Sequence, residues 1–117
     1  METIDHKRAT DAWQAAQDYT KDHVNAAKSL PALIINSGLM QVLAFCHDKD
    51  KESEDVARRL RRWLAGRFDW IRSDEFEPFM ESLMNATPAQ FRDVNREAMA
   101  WLKWLRQVAP ARQKGGV

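Results

Sequence analysis

Residues 29–46, SLPALIINSGLMQVLAFC, decide the fold. A bilayer span needs about 20 continuous apolar residues, and Asn36, Ser37 and Gly38 interrupt this run near its middle. The stretch is therefore core rather than membrane. Ser29 reads as an N-cap, and Pro31 falls in the first helical turn, where its missing N–H costs little. Gly38 readily takes the left-handed conformation that ends helices, and Asn or Ser can cap the next one. The pattern predicts helices at 31–36 and 38–48, or else a single helix in which Gly38 allows close backbone contact. Both arrangements put Leu33, Ile34, Leu39, Val42, Leu43 and Phe45 largely inside.

Working outward, residues 3–27 contain no Pro or Gly, and Ala9, Ala12, Ala16, Tyr19, His23 and Ala27 recur at three- and four-residue steps. That spacing predicts one long helix with a small packing face bordered by Trp13 and Val24. After the apolar run, HDKDKESED reads as a solvated loop and a helix capped near Ser53. Asp48 and Asp50 have the first spacing of a calcium loop, but Ser53 replaces its glycine and Arg59 its final glutamate, so calcium is rejected. A fourth helix spans about 54–65, with Val56, Leu60, Trp63 and Leu64 inward and Gly66 as its stop. The aromatic-rich connection RFDWIRSDEF leads to a fifth helix at 75–85. Thr87, Pro88 and Gln90 form a capping-box start for a sixth, which runs to about Ala109 before Pro110. Phe91, Val94, Ala98, Trp101, Leu102, Leu105 and Val108 make one apolar stripe along it. Residues 110–117 are expected to be a mobile tail.

The composition agrees. Ala, Leu, Arg, Lys, Glu, Gln and Met dominate the 117 residues, while four Gly and four Pro leave little room for the turns a strand-rich domain needs. The expected fold is all-α, a single domain over 1–117 with about six helices. Cys46 stands alone, so neither an intramolecular disulfide nor a cysteine metal site can form, and a reducing compartment is expected. The N-terminus METIDHKRAT lacks the apolar segment of a signal peptide, which points to the cytoplasm. His6, His23 and His47 lack metal-ligand spacing, and no nucleophile motif or phosphate loop is present. The chain reads as a non-enzyme with no catalytic residue, metal or cofactor.

Net charge is +1, too small for strong indiscriminate binding to nucleic acid. Local charge is larger: residues 58–72 hold six Arg against Asp69 alone, while residues 73–87 hold four acids and no Lys or Arg. On the fourth helix Arg58 and Arg62 lie opposite the Leu60 and Trp63 face, with Arg59 and Arg61 on its flanks, all toward solvent. Glu54 with Arg58 and Asp55 with Arg59, at i,i+4 spacing, would partly neutralise them. On the sixth helix Arg92, Arg96 and Lys103 fall within about 40° of one another, with Arg106 nearby and the acids Asp93 and Glu97 on another flank. This row is the better phosphate-contact candidate. Trp104 lies off the apolar stripe, which fits a second packing face, a partner contact or base stacking.

Two segments carry a family resemblance. Lys28 through Phe45, KSLPALIINSGLMQVLAF, and the helix FRDVNREAMAWLKWLRQVA, with Arg92, Arg96-Glu97-Ala98, Trp104-Leu105 and Arg106, resemble the small helical subunit of the type III-B CRISPR effector, the Cmr complex. The resemblance implies a non-catalytic prokaryotic subunit that stacks with copies of itself beside the crRNA-holding backbone subunit and helps bind target RNA in antiviral defence. Ile35 stands where that family often has a basic residue, which leaves Lys28, Arg92, Arg96 and Arg106 as its matching cations. With Arg58, Arg62 and Lys103 they form the candidate RNA-binding set. The alternatives are the equivalent subunit of a type III-A complex and a helical interaction module without an RNA role.

Overall fold

In the computed structural model, which describes residues 2–115, the elements run α1 (Ile4–Ala15), α2 (Lys21–Ser37), α3 (Leu39–Lys49), α4 (Lys51–Arg67), α5 (Phe76–Met84) and α6 (Pro88–Gly115). All six helices feed one core, through Ala12, Val24, Leu39, Val56, Phe79 and Val94 among others. Among the described residues there is no strand, and the expected all-α class holds. No helix among them is long and apolar enough to cross a membrane.

Gly38 divides the opening stretch. At φ 87° it lies where a side chain would be strained; its N–H closes α2 on the Ile34 carbonyl at 2.7 Å, and its own carbonyl accepts from Val42 to begin α3. Leu39, Val42, Leu43 and Cys46 then bury one stripe of α3. Phe45 does not join them. At 100° per residue it sits roughly 110° from the stripe's centre, and it remains 51% exposed rather than inside as expected.

The expected break at Ser29 is absent. Ser29 lies within α2, its hydroxyl donating to the Ala26 carbonyl, and the helix carries Pro31 in its interior. The chain breaks earlier instead, across residues 16–20, so the long helix expected over 3–27 is two. Asp18 turns through a positive φ of 64°, and Thr20 caps α2. The cap is a box in which the Thr20 hydroxyl accepts from the His23 N–H and the Thr20 N–H donates to His23 Nδ1 at 3.0 Å. With Nδ1 accepting, His23 presents Nε2–H to Asp55 at 2.9 Å, tying this cap to α4.

Helix α4 begins before Ser53, because the Asp50 carboxylate caps it by accepting from the Ser53 N–H at 2.7 Å. The Asp that suggested calcium is a helix cap. Nor does Gly66 stop α4, which continues to Arg67. The Thr87 start of α6 is as read: its hydroxyl accepts from Gln90 N–H at 3.1 Å, and its own N–H donates to Gln90 Oε1 at 2.9 Å. Pro110 removes one ladder bond, yet α6 runs through it to Gly115. Arg112 fastens the turn beyond it, donating to the Trp13 carbonyl at 2.7 Å with its guanidinium 4.7 Å from the Trp13 ring centre. The stop expected at Ala109 does not occur; Gly116 and Val117 lie outside the described residues.

Candidate nucleic-acid interface

Helix α6 buries Val94, Ala98, Trp101, Leu102, Leu105 and Ala109 along one side. The helical repeat therefore turns Arg92, Arg96, Lys103 and Arg106 outward, and all four are exposed. None of the four has a carboxylate oxygen within 4.0 Å among the described residues. Four cations on one solvent-facing side of a helix form a strip suited to successive phosphates, which Arg can grip with paired N–H groups.

A carboxylate of the same helix is engaged beneath the strip. Glu97, on the same helix, is 5% exposed and faces the other way. Arg8 of α1 grips it with two hydrogen bonds, Nε to Oε2 at 2.7 Å and Nη2 to Oε1 at 2.8 Å. The Trp63 indole donates to Oε2 at 2.9 Å, and Arg67 Nε lies 3.8 Å from Oε1. Burial pushes the Glu97 carboxyl up, but the bonds from Arg8 and Trp63 and the charges of Arg8 and Arg67 outweigh it and hold the group below its usual range. The Glu97 bond in turn raises the pKa of Arg8. Glu97 sits on another flank from Arg92 and Arg96, and it spends its charge inside the bundle.

The same α1–α6 seam uses two more carboxylates. Asp11 accepts from the Trp101 indole at 2.9 Å, and Asp5 from Trp104 at 3.0 Å. Trp104 is half-buried and packs against the core, so the packing reading of this residue is the one the geometry supports.

The Arg-rich helix α4 behaves differently. Arg61, expected at a solvent-facing flank, is 1% exposed. Its Nε donates to the Asp74 carbonyl at 2.9 Å, and its two terminal nitrogens donate to Glu54 at 3.2 and 3.1 Å. His47 Nδ1 lies 2.7 Å from Glu54, and the His47 ring stacks on Phe76 with centres 3.9 Å apart. Burial raises the Glu54 pKa, whereas the bonds from Arg61 and His47 bring it below the usual value. Arg59 turns to Asp11 at 3.6 Å instead of Asp55, which is held by His23 and Lys51. The expected Glu54–Arg58 pair forms at 3.9 Å. Arg58 and Arg62 do point outward, and Lys28 is exposed on α2.

The seven candidate cations therefore divide into a four-residue strip on α6, an exposed i,i+4 pair on α4, and Lys28 on another helix. Ile35, at the position where a basic residue was noted as common, is 73% exposed. Cys46 is buried, which pushes its thiol up to about 11 and leaves it unreactive at neutral pH. Among the described residues, no group of three or more His, Cys, Asp or Glu side chains could hold a metal ion. Arg8–Glu97 and Arg61–Glu54 were not foreseen. The first pair is 89 residues apart in the chain, while the second had a local signal in Arg61's proximity to the Ala57 and Leu64 stripe.

Residues 4–112 match the family model described as CRISPR-associated protein (Cas_Cmr5). Among solved structures, a CRISPR-associated Cmr5 family protein from Thermus thermophilus superposes with a TM-score of 0.78 at 22% identity, over 94% of this chain and 97% of that one. At that identity the likeness speaks for the fold. No curated protein matches the chain.

Proposed function

The chain belongs to the Cas_Cmr5 family of CRISPR-associated proteins, the small subunit of the type III-B (Cmr) complex, and from that premise we propose that it works there as a non-catalytic, single-domain subunit that helps hold target RNA. The observation that carries this reading is the α6 strip of Arg92, Arg96, Lys103 and Arg106, exposed and without an ion pair among the described residues. Lys28, Arg58 and Arg62 would extend the contact from α2 and α4. A net charge of +1 suits a subunit that adds a few phosphate contacts to a complex whose backbone subunit supplies most of the RNA affinity. Stacking of copies along that backbone is supported by the segregation of charge. Glu75, Glu77 and Glu81 on and beside α5 are exposed acids, while α6 presents bases, and opposite-sign faces on one chain favour head-to-tail contact. The cytoplasm of a prokaryotic cell is the compartment such a complex requires.

The test is a salt titration of target-RNA binding by complexes rebuilt with the wild-type chain or with Arg92→Glu and Arg96→Glu together. Both side chains project from the outer side of α6, so circular dichroism should show the bundle intact. Binding should weaken about tenfold or more at ordinary salt, and the slope of log affinity against log salt should fall by roughly 0.7 per lost contact, with similar losses on unrelated RNA sequences. A folded, incorporated double variant with unchanged affinity and slope would leave the chain a spacer.

A further inference from the structure

The segment joining α4 to α5 forms one wall of a polar cleft whose other wall is α5, with the first turn of α6 at its edge. The wall is fixed rather than loose. Ile71 is buried in the core, the Arg72 N–H donates to Ser82 Oγ at 3.3 Å, and the buried Arg61 holds the Asp74 carbonyl. Five tryptophans occur in the chain; three of them, Trp63, Trp101 and Trp104, give their indole N–H to carboxylates. Trp70, half-buried and lining this cleft, has no such partner among the described residues. Beside it stand the exposed Arg72, without an ion pair among the described residues, and, from α5, its C-cap and α6, Glu81, Asn85 and Gln90.

Hydrogen-bonding capacity is left over on both walls of the cleft. Asn85 spends one of its two amide N–H groups on the Glu81 carbonyl, which leaves Oδ1 and one N–H free, and Gln90 uses its Oε1 on the Thr87 N–H, which leaves its own N–H groups free. Acceptors therefore remain beside α5, from the Glu81 carboxylate and Asn85 Oδ1, while across the cleft Gln90 keeps its amide donors, Trp70 its ring face and Arg72 its charge. A flat ring offering adjacent N–H donors and a neighbouring carbonyl would satisfy both sets, with the indole supplying a stacking face and Arg72 a phosphate contact. Among the four RNA bases, guanine has that edge: two adjacent donors, N1–H and the 2-amino group, beside the O6 acceptor.

We propose that the Trp70–Glu81 cleft takes an unpaired guanine of single-stranded RNA, stacked on Trp70 and read by Glu81. The proposal rests on the reading of the chain as an RNA-contacting subunit and adds base preference to the sequence-blind phosphate strip of α6. Single-stranded bases are commonly bound in this way, by an aromatic platform together with contacts to the Watson–Crick edge.

The experiment is a titration of the full chain with short single-stranded RNAs, one carrying a central guanosine in a uridine run and one all uridine, followed by nitrogen–proton NMR. The Trp70 indole signal is assigned from its loss in Trp70→Phe. That signal should shift with the guanosine RNA, and the guanosine oligomer should bind about tenfold tighter than the all-uridine one, within the range of one base contact. Glu81→Gln, at an exposed position where folding is not at stake, should erase the preference while leaving weak binding; Trp70→Ala should abolish the guanosine-dependent component. Equal affinity for the two RNAs, or a preference untouched by Glu81→Gln, would overturn the proposal. If RNA moved only α6 signals, the cleft would fail while the phosphate strip stood. If Trp70→Ala impaired self-association or capture by the backbone subunit with no base preference in the wild type, the cleft would be a protein contact and the proposal would again be wrong. Failure of the α6 reading is scored separately, by the salt slope of the rebuilt complex.

Discussion

Helices α4 and α6 both carry rows of arginine, yet they use them in opposite ways. On α4 the guanidinium groups of Arg59, Arg61 and Arg67 turn toward Asp11, Glu54 and Glu97, and even the exposed Arg58 lies 3.9 Å from Glu54. On α6 the arginines and Lys103 opposite the apolar stripe have no carboxylate oxygen within 4.0 Å among the described residues, although, behind the Trp104 bond and Arg8, the Lys103 charge helps lower the Asp5 pKa. The helix with denser positive charge in sequence therefore has less of it to offer a ligand. Charge density along a chain measures supply, and neighbouring elements decide how much remains free. Here α4 acts mainly as an electrostatic joint and α6 as an electrostatic surface.

The sharpest way to break this contrast is at Arg61. Its side chain is almost fully buried, and Glu54 and the Asp74 carbonyl depend on it. Arg61→Ala should destabilise the bundle by about 3 kcal/mol or more, because it empties a fully buried site, orphans the Asp74 carbonyl and leaves Glu54 with only His47 and the exposed Arg58. Arg62→Ala, one residue on but outward, should change stability by less than about 0.5 kcal/mol. Urea denaturation of the two variants checks this, and comparable losses at both positions would end the distinction between inner and outer arginines on α4.

A smaller effect is expected at Glu97, where α4, α1 and α6 meet. Glu97→Gln keeps the shape, but only one of its two arms can still accept, so the NH2 arm faces a donor and bonding from Arg8 or Trp63 is lost, for a cost of about 2 kcal/mol near neutral pH. Because the folded-state pKa of Glu97 is lowered from 4.5, its ionised form stabilises the fold fully above that value, and the contribution is lost as pH falls through the folded pKa. The gap between wild type and Glu97→Gln, followed by denaturation at a series of pH values, should hold from pH 7 to about 5 and close on further acidification. A gap constant down to pH 2 would mean that the Glu97 charge does not stabilise the seam.

Arg61 and Glu97 mark where the sequence was not readable, whereas other parts of the molecule were. The Gly38 joint, the Thr87–Gln90 capping box and the outward direction of Arg92, Arg96 and Lys103 are local facts, set by backbone preference and helical period, and each is legible from a short window. The break at 16–20 was hidden because its capping box uses His23 in place of Glu or Gln and its turn uses Asp18 in place of Gly. Pro110 failed as a stop because Arg112 is fastened to Trp13, a contact 99 residues away in the chain. The freedom of the α6 cations followed from the same helical period, which sets Asp93 and Glu97 on another flank; what only the packed bundle reveals is the destination of the Glu97 charge, on Arg8 and near Arg67.

The smallest expected effect tests the outer face of α4 from the favourable side. Gly66 lies inside the last turn of that helix, its φ is not positive, and a Cβ built there meets no atom within 4 Å. Glycine in a helix leaves the unfolded chain more freedom than alanine does, so Gly66→Ala should stabilise the protein by roughly 0.5–1 kcal/mol without touching a contact. The same change at Gly38 has equally open space, but a φ of 87° makes it strained, and it should lower stability instead. Thermal denaturation should therefore move in opposite directions for the two variants. Because Gly66 follows Arg62 by one turn on the outward side, a stabilised Gly66→Ala chain should also retain wild-type salt dependence in RNA binding by the rebuilt complex. Destabilisation at Gly66 would show that this end of α4 is closely packed in solution, and the picture of a helix constrained on its inner side and free on its outer one would fail at that turn.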